Sequence, residues 1–141
     1  MSKSDALETD ILKLLFNTTT IANLAINATS SPATTLAVAL HTADPGEAGN
    51  QATNEISYTG YSRVTVARSG AGWTVSGNSV SPVATIAFGQ MTGGAGGTAT
   101  HMSIGTGVSD YMMYSGTITP NIVVTNGVTP QLTTATTITE D

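Results

Sequence analysis

The stretch Thr34-Thr35-Leu36-Ala37-Val38-Ala39-Leu40-His41 decides the fold. Leu36, Val38 and Leu40 alternate with Ala37, Ala39 and His41, and a period of two is the mark of a strand with one face toward a core. Downstream the same period keeps returning. Val64 and Val66 make an inner face with Thr65 opposite. Trp73 and Val75 mark a third strand, and Ser76-Gly77-Asn78-Ser79 reads as a tight turn into Val80. Ile86 and Phe88 end another strand. Thr100, Met102 and Ile104 alternate with His101 and Ser103. Met112, Tyr114, Gly116 and Ile118 alternate with Met113, Ser115 and Thr117. Ile122 to Thr125, Asn126-Gly127 and Val128 read as a hairpin, because Asn-Gly readily adopts a type I′ turn. A last strand runs through Thr136 to Thr139.

About eight short strands with frequent turns predict an all-β jelly roll or β-sandwich. Ser81-Pro82, Thr119-Pro120 and Thr129-Pro130 should each mark a strand end or an edge, since Pro has no N–H to give a central ladder. His41 through Glu55 reads as a loop, with Asp44-Pro45-Gly46 set for a type II turn. Gly93 to Gly97 reads as a flexible surface loop.

Upstream of the deciding stretch the period changes. Ser4 to Phe16 reads as the one clear helix. Ser4 is the expected N-cap, Asp5 and Glu8 sit in the first turn, and Leu7, Ile11, Leu14 and Leu15 form an apolar face. Thr18-Thr19-Thr20 should stop it. A short helical turn is expected over Ile21 to Ile26. The 141 residues suit one domain, with a helical arm over 1–33 and a β-sandwich over 34–141.

Only 9% of the chain is charged, and its polarity comes from Thr, Ser, Asn and Gly instead. A surface of small neutral polar groups gives up its water at low cost, which suits a component of an assembly. Lys3, Lys13, Arg63 and Arg68 are the basic residues, against a net charge of −5. Four scattered cations do not make a nucleic-acid surface or a dock for an anionic membrane. The start, with Asp5, Glu8 and Asp10, does not read as a signal peptide, and the longest apolar run, Leu36 to Leu40, is too short to span a bilayer. With no cysteine, disulfides, thiolate metal sites and thiol catalysis are excluded.

No catalytic constellation stands out. Ser103 precedes Gly105, but His101 occupies the place of the first Gly in a nucleophile elbow. His41 and His101 could each act as a base, yet two histidines and dispersed carboxylates are poor material for a metal site. Asp44, Glu47, Glu55 and Asp110 fall in loops and read as solvated. Gly93 to Gly97 lacks the Lys of a phosphate cradle, and the sequons at Asn17 and Asn27 have no secretion signal behind them. No enzyme activity, metal or cofactor is expected. Trp73 reads as core. Tyr58 and Tyr61 flank Gly60, and Tyr111 precedes Met112 and Met113. Rigid aromatics and soft Met near loops suit protein contacts. The contact residues expected from sequence are therefore Leu7, Ile11 and Leu14 on the helix, Asp44 and Pro45 in the loop, and Tyr58, Tyr61, Tyr111, Met112 and Met113.

In order along the chain, LAVALHTADPGEAG (36–49), YTGYSR (58–63), GWTVSGNSVSP (72–82), ATHMSIGT (99–106), YSGTITP (114–120), NGVTPQL (126–132) and the terminal ITED resemble a family of small virion proteins of tailed bacteriophages. Its members look like jelly-roll capsid cement, or decoration, proteins, and are often labelled tail fibre proteins. The resemblance implies a non-enzymatic protein on the exterior of the capsid, made in the host cytoplasm. It would bind the major capsid protein, bridge capsomers and act as a homodimer. A tail fibre or receptor-binding module is the alternative. The chain departs from the family between Val108 and Met113, where a Gly/Ser-rich turn is expected, and Ala37 is smaller than usual for its strand.

Overall fold

The computed structural model describes residues 3–22, 24–27 and 30–140. The sequon spanning Asn27 to Thr29 therefore lies partly outside the described residues, as does Asp141 at the end of the last motif. One helix, α1 (Asp5–Asn17), precedes nine strands among the described residues: β1 (Thr35–His41), β2 (Val64–Ala67), β3 (Trp73–Ser76), β4 (Ser79–Pro82), β5 (Ile86–Ala87), β6 (Gly97–Gly105), β7 (Met112–Val124), β8 (Gln131–Leu132) and β9 (Ile138–Thr139). The β1–β6, β3–β4, β4–β9 and β6–β7 pairs are antiparallel. The chain is thus mostly β with an N-terminal helix, as its alternation implies. It divides into two compact units, one of residues 1–35, 67–85 and 132–141, the other of 36–66 and 86–131.

In the first unit, α1 packs on β3 and β4. Ser4 caps it, its Oγ accepting the Leu7 N–H at 3.4 Å. Glu8, Leu12 and Phe16 are its fully buried residues, and Leu7, Ile11, Leu14 and Leu15 of the predicted apolar face lie half-buried at the sides. The apolar stripe is wide enough to allow either rotation, and the Phe16 ring decides it by meeting Trp73 edge-on, with centroids 5.0 Å apart. Thr18 ends the helix at φ 57°, a left-handed conformation that a β-branched residue seldom takes. Arg68 supports this end from far along the chain, donating to the carbonyls of Leu14 (2.7 Å) and Leu15 (2.6 Å). The helical turn expected after it falls partly outside the described residues. Within them the Ala25 N–H donates to the Ile21 carbonyl at 2.9 Å, the spacing of a single turn, and the Ile21 N–H donates back to the Ala25 carbonyl at 2.8 Å, closing a tight bridge.

The β3–β4 hairpin turns at Gly77, φ 58°, with Ser76 opposite Ser79 as the sequence predicts. β9 then pairs on the far side of β4.

The four-stranded sheet runs β2-β1-β6-β7. β1 is buried on both faces from Leu36 to His41, rather than on one. The reason is the expected loop after it, which folds back: Ile56 N–H donates to the Leu40 carbonyl (2.9 Å) and Thr42 N–H to that of Asn54 (2.9 Å). β7 is an edge strand, and Pro120 lies where its register slips, between the pairs His101–Thr117 and Ala99–Ile122. Pro82 ends β4 and Pro130 precedes β8, so each Xaa-Pro step marks an end or an edge.

The Asn126-Gly127 hairpin is corrected. The turn exists, but only Gly127 has positive φ (87°), the type II pattern rather than type I′. Type II twist splays flanking strands. The chain accordingly leaves β7 and pairs as β8 with β5. Gly93 to Gly97 is likewise more than a surface loop. Gly93 bridges to Thr59, Gly97 opens β6, and a side chain on Gly96 would collide with the Val124 carbonyl.

Candidate functional site

The most organised surface feature of the second unit is the loop between β6 and β7, residues 106–111. Val108 and Tyr111 stand 66% and 61% exposed on it. Its backbone is unusual: Gly107, Ser109 and Asp110 all have positive φ, at 72°, 52° and 56°. Two successive non-glycine residues in the left-handed region need outside support.

Arg63, just ahead of β2, supplies that support. Its Nη1 donates to Asp110 Oδ1 at 2.6 Å, while Nε and Nη2 grip Glu55 at 2.8 and 2.7 Å. The fork geometry of guanidinium suits this paired grip. Hydrogen bonding to Glu55, foremost, holds the Arg63 proton more firmly than usual. Tyr61 extends the network, donating to Glu55 Oε1 (2.9 Å) and accepting the Leu40 N–H (3.1 Å). Burial raises the Tyr61 pKa, so the phenol keeps its proton. The backbone is tied as well. Gln51 N–H donates to the Asp110 carbonyl at 2.9 Å, and Tyr111 N–H to that of Val108 at 3.1 Å. Gly105 is required beneath the loop, because a Cβ there would strike the Tyr111 carbonyl and the Gln51 side chain.

Behind this loop lies a buried polar group. His41 Nδ1 is 2.8 Å from the Thr53 carbonyl, which can only accept, so Nδ1 carries the proton of the neutral ring. Nε2 then accepts from the Ser103 hydroxyl at 2.7 Å. Gln51 Nε2 donates to the Ala37 carbonyl at 2.9 Å and reaches Ser103 Oγ at 3.4 Å. Burial is the main influence holding the His41 pKa below 6.5. A serine hydroxyl on a histidine resembles an activated nucleophile, but both side chains have no exposed surface. No substrate carbonyl can approach Oγ in this conformation, and the group serves to clamp the 42–56 segment to β1 and β6.

The structure sorts the ten residues expected at a contact. Tyr111 is exposed, beside half-buried Met112 and Met113. Asp44 is exposed, with Oδ1 accepting the Gly46 N–H. Pro45 is buried. Tyr58 is 7% exposed, its hydroxyl donating to the Gly89 carbonyl at 2.8 Å. Tyr58, Tyr61 and Phe88 form a ring cluster with centroids 5.3 and 6.1 Å apart, so the two tyrosine rings pack on one another and on Phe88, while Thr59 and Gly60 between them are exposed. Leu7, Ile11 and Leu14 are half-buried within the first unit. Glu55 and Asp110, read as solvated, are ion-paired. Sequence reasoning missed Val108, although a lone Val inside Gly-Thr-Gly-Val-Ser-Asp was a visible signal. It also missed Leu24 and Ile26, which stand exposed beside the bridged turn of the first unit.

Among the described residues no three His, Asp or Glu gather as metal ligands would, and no helix is long and apolar enough to cross a membrane. On the braced loop an aromatic and an aliphatic side chain, Tyr111 and Val108, are held out toward water. In comparisons with known proteins, a family model described as podophage GP4 fiber I protein gp80 matches residues 2–139. No curated protein matches the chain.

Proposed function

The chain belongs to the podophage GP4 fiber I protein gp80 family, a family of phage virion structural proteins, and on that premise we propose that it is a non-enzymatic fibre component that docks through its Val108–Tyr111 loop. The braced loop is the observation that carries this reading. An interface gains most from rigid aromatic anchors whose conformation is settled before contact, because little ordering entropy is then lost. Arg63, Gln51 and Gly105 provide that settling. The scarcity of charge across the chain supports the same conclusion, since few ions would have to leave water. Repeated weak contacts on a symmetric partner then add up to firm attachment.

A second reading, a capsid cement protein that bridges subunits of the major capsid protein on the shell exterior as a homodimer, is favoured by the nearly uncharged composition and by the sequence resemblance above. It would stabilise the shell by binding only its assembled form. Counting this chain against the major capsid protein in purified particles separates the two. A fibre component is present in a few copies and labels at the tail; a cement protein approaches the number of capsid subunits and labels the shell. Absence from finished virions would overturn both.

A further inference from the structure

We propose that Asn126-Gly127 is a self-modifying bond, and that Gln90 and Met91 hold it in check. It is the one Asn-Gly step in the chain. Both residues are exposed, at the turn that follows β7. The Asn126 side chain makes no hydrogen bond within the described residues, and nothing lies within 4 Å of the space beside the Gly127 Cα. The chemistry needs no partner or cofactor. The Gly127 backbone nitrogen attacks Asn126 Cγ, a C–N bond forms, and the side-chain amide leaves as ammonia with the proton from that nitrogen. Water then opens the five-membered imide at either carbonyl, leaving an aspartyl or isoaspartyl residue at position 126. Glycine favours the closure because no side chain crowds the attacking nitrogen.

The fold opposes the first step. The attacking nitrogen is engaged, its N–H donating to the Met91 carbonyl at 2.8 Å. Met91 N–H returns a bond to the Val128 carbonyl at 2.9 Å, and Gln90 Nε2 donates to the Gly127 carbonyl at 2.9 Å. Attack requires this set to open. Each hydrogen bond of ordinary net strength slows opening by roughly threefold to tenfold. The product matters because residues 111–139 carry no charged side chain. Modification would place a carboxylate in the middle of that stretch and, as isoaspartate, lengthen the main chain between β7 and β8.

The test ages the full chain in mildly alkaline buffer, folded and in guanidinium, and follows position 126 by peptide mass spectrometry that resolves isoaspartate. The folded chain should modify at least about threefold more slowly than the denatured one. Gln90→Ala should speed the folded reaction while leaving the denatured rate unchanged. Asn126→Ser should abolish the product. Equal rates in the two states would overturn the proposal, as would a folded Gln90→Ala rate no faster than wild type. So would modification spread evenly over the other asparagines in the denatured chain.

Discussion

Arg63 and Asp110 lie 47 residues apart in sequence yet meet at 2.6 Å, and through that contact the exposed Tyr111 loop is fastened to the segment between β1 and β2 that carries Glu55 and Tyr61. The pair separates two energies. Asp110 is nearly half-exposed, so its share of stability is small, while Glu55 is mostly covered and depends on the guanidinium.

Asp110→Ala should therefore lower stability by less than about 1 kcal/mol. Arg63→Ala should lower it by about 2 kcal/mol or more, because it strands a largely buried carboxylate. Arg63→Lys should recover little of this, since one ammonium cannot grip Glu55 through two parallel bonds and reach Asp110 as well. Urea titration of the three variants checks the order. A lysine variant as stable as wild type would contradict the fork geometry.

Tyr111→Ala should leave the melting temperature within about 2 °C of wild type, since the ring is mostly in water. Its expected effect is on retention by the virion. Particles assembled with the variant should lose the chain at least tenfold more readily on dilution, as for a central aromatic anchor. Retention equal to wild type removes the loop from the docking surface.

His41 sets a pH dependence. Burial lowers its folded pKa below the ordinary 6.5, against the smaller opposing pull of the Thr53 carbonyl and Glu55. As pH falls below about 6.5, the unfolded chain takes up a proton that the folded chain refuses. Stability from this group is thus fully present above pH 6.5 and is lost as pH drops toward the depressed folded value. Urea midpoints between about pH 7.5 and pH 5.5 should fall more steeply for wild type than for His41→Gln. Parallel slopes would show that the histidine is not the source.

In the first unit, Phe16→Ala should cost about 3–5 kcal/mol, because the ring is fully buried against Trp73. Trp73→Phe should be milder than its lost volume suggests. Trp73 Nε1 is buried with no hydrogen-bond partner, and phenylalanine removes that unsatisfied donor. Thermal unfolding of the two variants ranks them. A tryptophan replacement as damaging as the phenylalanine deletion would show that the donor is satisfied in solution.

Much of the architecture was already written in local pattern. Alternation located most of the strands, Ser4 and the following acidic turn located the helix start, and Gly77 located a hairpin. Each depends on neighbours within a few residues, where backbone sterics and side-chain period act directly. The errors share a cause. Which helix face turns inward, why Ala37 and Ala39 are buried, and why Asn126-Gly127 does not close a hairpin all depend on partners distant in sequence: Trp73, the returning 42–56 segment, and β5. The same holds for the site. Sequence placed Tyr111 beside a loop but also chose Tyr58, which packs inward, and took Glu55 and Asp110 for solvated carboxylates.

By itself, then, the sequence determined a mostly antiparallel β chain with one N-terminal helix, few charges and no thiol chemistry, since composition and periodicity are properties of the chain alone. Tertiary structure alone decided which side chains share a space. Arg63 found two carboxylates, His41 found Ser103, and Val108 and Tyr111 were left facing water. Charge pairing and burial act through distance in space, and no spacing along the chain encodes them.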